Sequence, residues 1–431
     1  VETSLKKSSE EPVRVLHLID GLSWGGSQRW VWDIVRLSDP RHFTHRIVTI
    51  NPDGGDYVYA ERLEAAGVYQ NVTESVMLRA LRTGIYHDFV RHRLVPLRKL
   101  LSATWHLGCQ ASSIPRIIHS MRQFRPDVVH THTFYGFTSG VLVKRIFGTP
   151  LIHSVPCLFS QMVDAGFSWM PGFYRRIHPR VDYFFTGASL EELRSVKVPP
   201  DKTGEIRGVV DQRAIDDALR TREHDYYAVR SMLGLDEKAL IALSVGRLHP
   251  SKGHDLALEA LPPLVERWPN LHWVLLGEGD QRPLLEARSK DLGMEKHVHM
   301  IGFRADPLPF YSAANVYVRS AIYEAENLCS YQAMAMGLPV VGFDTGCETE
   351  LLRKVGHGLL VPNKDAAALA HAVSRILSMP EQGKELGCSG ARFCRAHLGL
   401  SQSIEAFCSR YARLSGSPGL FKEESETELI A

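Results

Sequence analysis

Along the first half of the chain, short runs of apolar and β-branched residues are separated by longer polar or amphipathic stretches. VRVLHLI (13–19), HRIVTI (45–50), DVVHTH (127–132), LIHSV (151–155) and VDYFFT (181–186) each read as a strand. The second half repeats the rhythm with ALIALSV (239–245), HWVLLG (272–277), HVHMIG (297–302), NVYVRS (315–320) and PVVGF (339–343). Segments with helical spacing lie between them, such as DLALEALPPLVERW (255–268) and DAAALAHAVSRILSM (365–379). Strands apolar on both sides need cover on both faces, and helices alternating with them supply it; that pattern predicts parallel sheets. The expected fold class is α/β, with two doubly wound, Rossmann-like parallel sheets. Sheets of this kind bind ligands at the carboxyl ends of their strands.

The break between the halves is expected within 196–235, where VKVPPDKTGEIRGVVD combines Pro, Gly and charge. This gives an N-terminal domain over 12–200, a C-terminal domain over 205–400, and a helix at 401–414 that packs back onto the first domain. The acidic segment 417–431 has no packing face and is expected to be disordered. Two domains also suit a chain of 431 residues, too long for one ordinary core.

Composition narrows the chemistry. A net charge of +2 gives no general attraction to nucleic acid, so no nucleic-acid partner is expected. Seven scattered cysteines without a CxxC pair offer neither a disulfide frame nor a zinc site and suit a reducing, cytoplasmic setting. No apolar run reaches the ~20 residues of a membrane span. GLSWGG (21–26) is not a GxGxxG dinucleotide loop, and a Walker A loop is absent.

The candidate chemistry lies in VGRLHPSKG (245–253). Arg247 follows a buried strand and Lys252 opens the next helix, so both belong at a strand's carboxyl end. Two cations there can neutralise a diphosphate without a metal, Arg as a planar fork and Lys as a point charge. A solvated loop with ordinary surface charges is the plain alternative. The stretch YEAENLCSYQAMAMGL (323–338) supplies a second feature. It runs from a carboxylate, Glu324, into a helix beginning near Leu328 whose free N–H groups would attract an anion. Gln332 in that helix could meet ribose hydroxyls.

VGRLHPSKG, ENLCSYQAMAMGLPVV and DTGCETELL resemble the donor-site motifs of the retaining GT-B glycosyltransferases of family 4, also called group 1. The resemblance runs from VLHLIDGLSWGGSQRWVWDIV (15–35) to the C-terminal helices. It implies two domains facing each other across a cleft, with a nucleoside diphosphate sugar, by default a UDP-sugar, as donor. Arg247 and Lys252 would bind the diphosphate, Glu324 the sugar and Gln332 the ribose. Asn327 and Leu328 would border the phosphate at the helix entrance. Gly25 and Gly26 would lie beside the diphosphate and acceptor, and Phe303 and Arg304 beside the base. Glu324, Arg247 and Lys252 are the catalytic candidates, and no cofactor or metal is expected. The acceptor would be a hydroxyl of a glycan or lipid-linked saccharide in polysaccharide or cell-envelope synthesis. The competing readings are a nucleotide-sugar epimerase on the same fold and a non-catalytic partner subunit.

Three positions depart from the family pattern. Gln332 replaces the second Glu of a Glu-x7-Glu pair, Ala325-Glu326-Asn327 replaces Gly-Phe-Gly, and Pro156 stands where a His facing the donor sugar is expected. His130 and His132, two imidazoles on one strand face, are acceptor-side candidates with Pro156, or else hydrogen-bond within the core. As a metal site the pair lacks a third ligand at recognisable spacing. The basic, amphipathic segment 78–100 is either a solvated helix pair or a docking face for an anionic membrane, which would place the protein at the inner surface of the membrane.

Overall fold

The computed structural model describes residues 11–22, 26–50, 58–68, 111–155 except 112, 168–187, 190–206, 208–322, 328–345, 352, 356 and 358–418. All ten expected strands form, with bounds within two residues of those expected. They are β1 (Val13–Ile19), β2 (Phe43–Thr49), β3 (Val128–Thr131), β4 (Leu151–Val155), β5 (Tyr183–Thr186), then, beyond one unpredicted strand, β7 (Leu240–Val245), β8 (Leu271–Leu276), β9 (Val298–Gly302), β10 (Val316–Arg319) and β11 (Val340–Phe343). Two short edge strands, β6 (Thr203–Glu205) and β12 (Gly358–Val361), are not expected from the hydrophobic pattern. β6 is the polar tripeptide Thr-Gly-Glu, with no hydrophobic signature. It becomes a strand because β5 offers it a ladder, Phe184 opposite Thr203 through Thr186 opposite Glu205.

The strands make two six-stranded sheets, β2-β1-β3-β4-β5-β6 and β12-β11-β10-β7-β8-β9. Every named strand pair is parallel. The chain divides into two compact units, changing from the first to the second after Ile206 and returning to the first at Ile404. In the second unit, helices His254–Arg267 and Ala366–Ser378 share one core with the sheet, through Leu258, Leu261, Val373 and Ile376 against Trp273, Val316 and Val341. The polar stretch after 206 holds two helices, Gln212–Arg220 and Arg222–Leu233. The buried Arg230 guanidinium secures the latter by donating to the carbonyls of Ala313 and Ala239.

The last helix, Leu400–Leu414, begins in the second unit and ends in the first. Within the first unit Phe407 packs edge-on against Phe185 at 4.6 Å between ring centroids, and Arg410 lies 3.5 Å over the Tyr183 ring. Among the described residues no helix is long and apolar enough to cross a membrane.

Candidate donor-binding site

The sheet order of the second unit reverses direction between β7 and β10, which lie side by side although β8 and β9 intervene in the chain. Crossovers leave these two strands to opposite sides, opening a crevice beyond their carboxyl ends, where ligands of doubly wound folds bind. Arg247 follows β7 by two residues. Leu248 is fully buried and anchors the loop, while Arg247 just before it is exposed.

Close backbone approaches shape this end of the sheet. The Leu248 N–H donates to the Glu278 carbonyl at 2.9 Å, joining the loops that follow β7 and β8. Gly277, at φ +144°, lies so near β7 that a Cβ there would sit 1.9 Å from the Gly246 carbonyl oxygen. Only glycine fits, for reasons of both space and backbone conformation. Gly253, at φ +57°, closes the 3-10 turn Pro250–Lys252 and starts helix His254–Arg267; a Cβ there would meet the Ser320 carbonyl oxygen at 2.2 Å.

The loop after β10 is bonded to the same turn. Ser320 Oγ donates to the Lys252 carbonyl at 2.9 Å, and the Ile322 N–H donates to the Ser251 carbonyl at 3.0 Å. Ile322 therefore leaves the sheet beside Lys252, six residues before helix Leu328–Ala335 opens. The half-buried stem of Lys252 lies back over the strand end, with Cδ and Cε each 3.8 Å from an ideal Cβ on Gly246. The neighbouring imidazoles are lowered first by burial and then by these cations. Burial pushes His254 down to about 4, with the Lys252 ammonium adding to the effect. His249 is lowered by partial burial and by Arg247 and Lys252, against the opposing pull of Asp280.

The other described candidates on this unit follow the same strand ends. Phe303 and Arg304 come directly after β9, half-buried and exposed respectively. Leu328 is the first residue of its helix, and Gln332, one turn later, is half-buried. Tyr311 donates its hydroxyl to the Cys329 carbonyl at 3.1 Å and steadies that first turn. Glu324 and Asn327 lie outside the described residues. The pinning of the β10 loop by Ser320 and Ile322 has no signal in the sequence, because it depends on β7 and β10 becoming neighbours.

In the first unit, Gly26 is exposed at the start of helix Gly26–Leu37, while Gly25, Pro156 and the segment 78–100 lie outside the described residues. His130 and His132 line no open surface: they are 0% and 1% exposed. His130 bonds the Tyr411 hydroxyl at 2.6 Å and Ser154 Oγ at 2.8 Å, and His132 Nε2 meets His17 Nδ1 at 2.9 Å. Of the two roles open to them in the sequence, hydrogen bonding within the core is the one their burial displays. His153 is buried as well, stacked on Phe137 at 4.0 Å and bonded to the Tyr174 hydroxyl at 2.9 Å.

Two doubly wound parallel sheets, the second with basic residues in the loop at its switch point, define the class, an α/β protein of two Rossmann-like units. Comparison with known proteins gives the family. Residues 25–203 match the glycosyl transferase 4-like domain and residues 228–392 match glycosyl transferases group 1. The chain belongs to the group 1 glycosyltransferase family and has the GT-B fold. An uncharacterized glycosyltransferase of Methanocaldococcus jannaschii is 29% identical over 58% of this chain and 66% of its own length. The alpha-D-kanosaminyltransferase of Streptomyces kanamyceticus is 24% identical over 73% of this chain and 84% of its own. Among solved structures, Anabaena HepE in complex with UDP-glucose superposes with a TM-score of 0.71 at 16% identity, covering 93% of this chain and 99% of that one. The match spans just under two thirds of the archaeal relative.

Proposed function

We propose that the protein transfers a sugar from a nucleoside diphosphate sugar, by default a UDP-sugar, to a hydroxyl of a glycan or lipid-linked acceptor, with retention and without a catalytic metal. The observation that carries this reading is the bonded pair of loops at the β7–β10 switch point, which holds the Lys252 turn against Ser320 and Ile322. The fold shared with HepE, whose structure contains UDP-glucose, and the similarity to a kanosaminyltransferase support the donor class.

In the proposed reaction the bond from the anomeric carbon to the diphosphate oxygen breaks, and negative charge grows on the leaving phosphate. Arg247, Lys252 and the first N–H groups of helix Leu328–Ala335 stabilise that charge, with fixed groups that need no reorganisation. The acceptor oxygen bonds to the anomeric carbon on the same face, and its proton passes to a phosphate oxygen. Glu324 holds the donor sugar, Gln332 the ribose, and Phe303 and Arg304 the base. Work on a lipid-linked acceptor would place the protein at the cytoplasmic face of a membrane in envelope or polysaccharide synthesis, with 78–100 as the docking segment.

Titration calorimetry with UDP and GDP, followed by a transfer assay with the matching donor sugars, tests the proposal. Tight binding of one nucleotide, weakened by Arg247→Ala and by Lys252→Ala, is expected. Equal binding by the wild-type protein and both variants would sink it.

A further inference from the structure

The two imidazoles of His130-Thr131-His132 lack a third partner nearby in the sequence, and the fold supplies one. Parallel pairing of β1 with β3 sets His17 directly opposite His130, 113 residues away in the chain. His17, His130 and His132 each have a ring nitrogen close to the other two, the three atoms lying within 4.8 Å of one another. All three side chains are buried.

We infer that His17, His130 and His132 form a structural binding site for one transition-metal ion of the zinc class, inside the first unit and separate from the donor chemistry. Zinc binds imidazole nitrogen at about 2.0–2.1 Å, which sets tetrahedral ligands roughly 3.4 Å apart. His17 Nδ1 and His132 Nε2, 2.9 Å apart, reach that separation with little adjustment. Imidazole ligands suit zinc, copper, iron and nickel, and exclude magnesium or calcium as favoured occupants.

The surroundings provide the outer contacts that such ligands use. The bond between His17 Nδ1 and His132 Nε2 holds one proton; when both nitrogens turn lone pairs to the metal, that proton moves to the opposite nitrogen of its own ring, the bond is given up and no proton is lost. His17 Nε2–H then donates to His45 Nδ1 at 2.9 Å, and His45 Nε2–H donates to Ser38 Oγ at 2.7 Å. This row of bonds fixes one tautomer along β1 and β2. His130 has a hydroxyl at each ring nitrogen, from Tyr411 and Ser154; one yields to the metal and the other accepts the remaining N–H. Phe185 and Phe407 stand beside His130, at 6.3 Å and 5.4 Å between ring centroids. Such a closed, partly aromatic shell suits a metal that ties β1 to β3 rather than one that activates water.

The test uses the full chain without a histidine tag, stripped by chelator and titrated with Co²⁺ under visible absorption, then with competing Zn²⁺. About one equivalent of Co²⁺ with ligand-field bands, displaced by Zn²⁺, is expected. His132→Gln should weaken binding by more than the roughly 10–100-fold loss expected from the outer variant His45→Gln. If His132→Gln fails to fold, X-ray absorption on zinc-loaded wild type decides: three nitrogen neighbours support the site, and fewer overturn it. Folded wild type that takes up no Co²⁺ or Zn²⁺, or uptake unchanged in His132→Gln, also overturns it, leaving a hydrogen-bonded row of imidazoles alone.

Discussion

Both units concentrate basic side chains on a parallel sheet, yet they treat them in opposite ways. At the end of β7, Arg247 is exposed and Lys252 half-buried, held by loop hydrogen bonds that use backbone groups. On β1, on β3 and just beyond β3, His17, His130 and His132 are buried, satisfied by one another and by hydroxyls, and held neutral by desolvation. Water at the strand end preserves charge for a ligand to meet; burial removes charge and leaves lone pairs and N–H groups. Burial separates the cations at the end of β7 from the imidazole cluster.

The contrast should break most sharply at Arg247. Arg247→Ala should lower kcat/KM for donor by roughly 10²–10³-fold, about 3–4 kcal/mol of transition-state stabilisation, with little change in unfolding midpoint. Steady-state transfer kinetics beside a urea titration check both halves of that statement. A loss of stability equal to the loss of rate would make Arg247 a structural residue.

Acid should expose His254, an imidazole of the second unit that is buried and lowered like those of the first. His254 titrates at about 4 when folded, below its ordinary value near 6.5, so the unfolded chain binds its proton first. Its contribution is intact above pH 6.5 and is lost as pH falls towards 4, amounting to about 3 kcal/mol below that point. Urea unfolding at pH 7 and pH 4 should show a smaller difference for His254→Gln than for wild type. Parallel behaviour of the two proteins would show that His254 does not carry it.

Tyr411→Phe sharpens the comparison from the other unit. It deprives His130 of its 2.6 Å hydroxyl partner and should cost about 1–3 kcal/mol of stability while UDP affinity in calorimetry stays unchanged. The smallest expected effect is a gain: Gln332→Glu restores a charge-assisted acceptor and should tighten UDP binding roughly five- to tenfold, about 1 kcal/mol. No gain would remove Gln332 from the ribose contacts.

Much of this protein was legible in one dimension. Continuous apolar runs, alternating with helical spacing, fix strands and helices through local burial, and ten of the twelve strands among the described residues follow from that rule alone. β6 escaped it because Thr203-Gly204-Glu205 has no apolar run and becomes a strand only through the hydrogen-bonding groups that β5 offers; β12, GLLV, is apolar but only four residues long. Arg247 and Lys252 were visible because they lie five positions apart in one loop. Which strand lies beside which is a property of the folded sheet, set by crossovers that join residues far apart in the chain. Only the tertiary structure therefore decided that Ser320 and Ile322 pin the Lys252 turn, and that His17 completes the pair His130 and His132. Local sequence chooses elements through short-range sterics and periodic burial, whereas a site assembled across strands exists only after the sheet has been ordered.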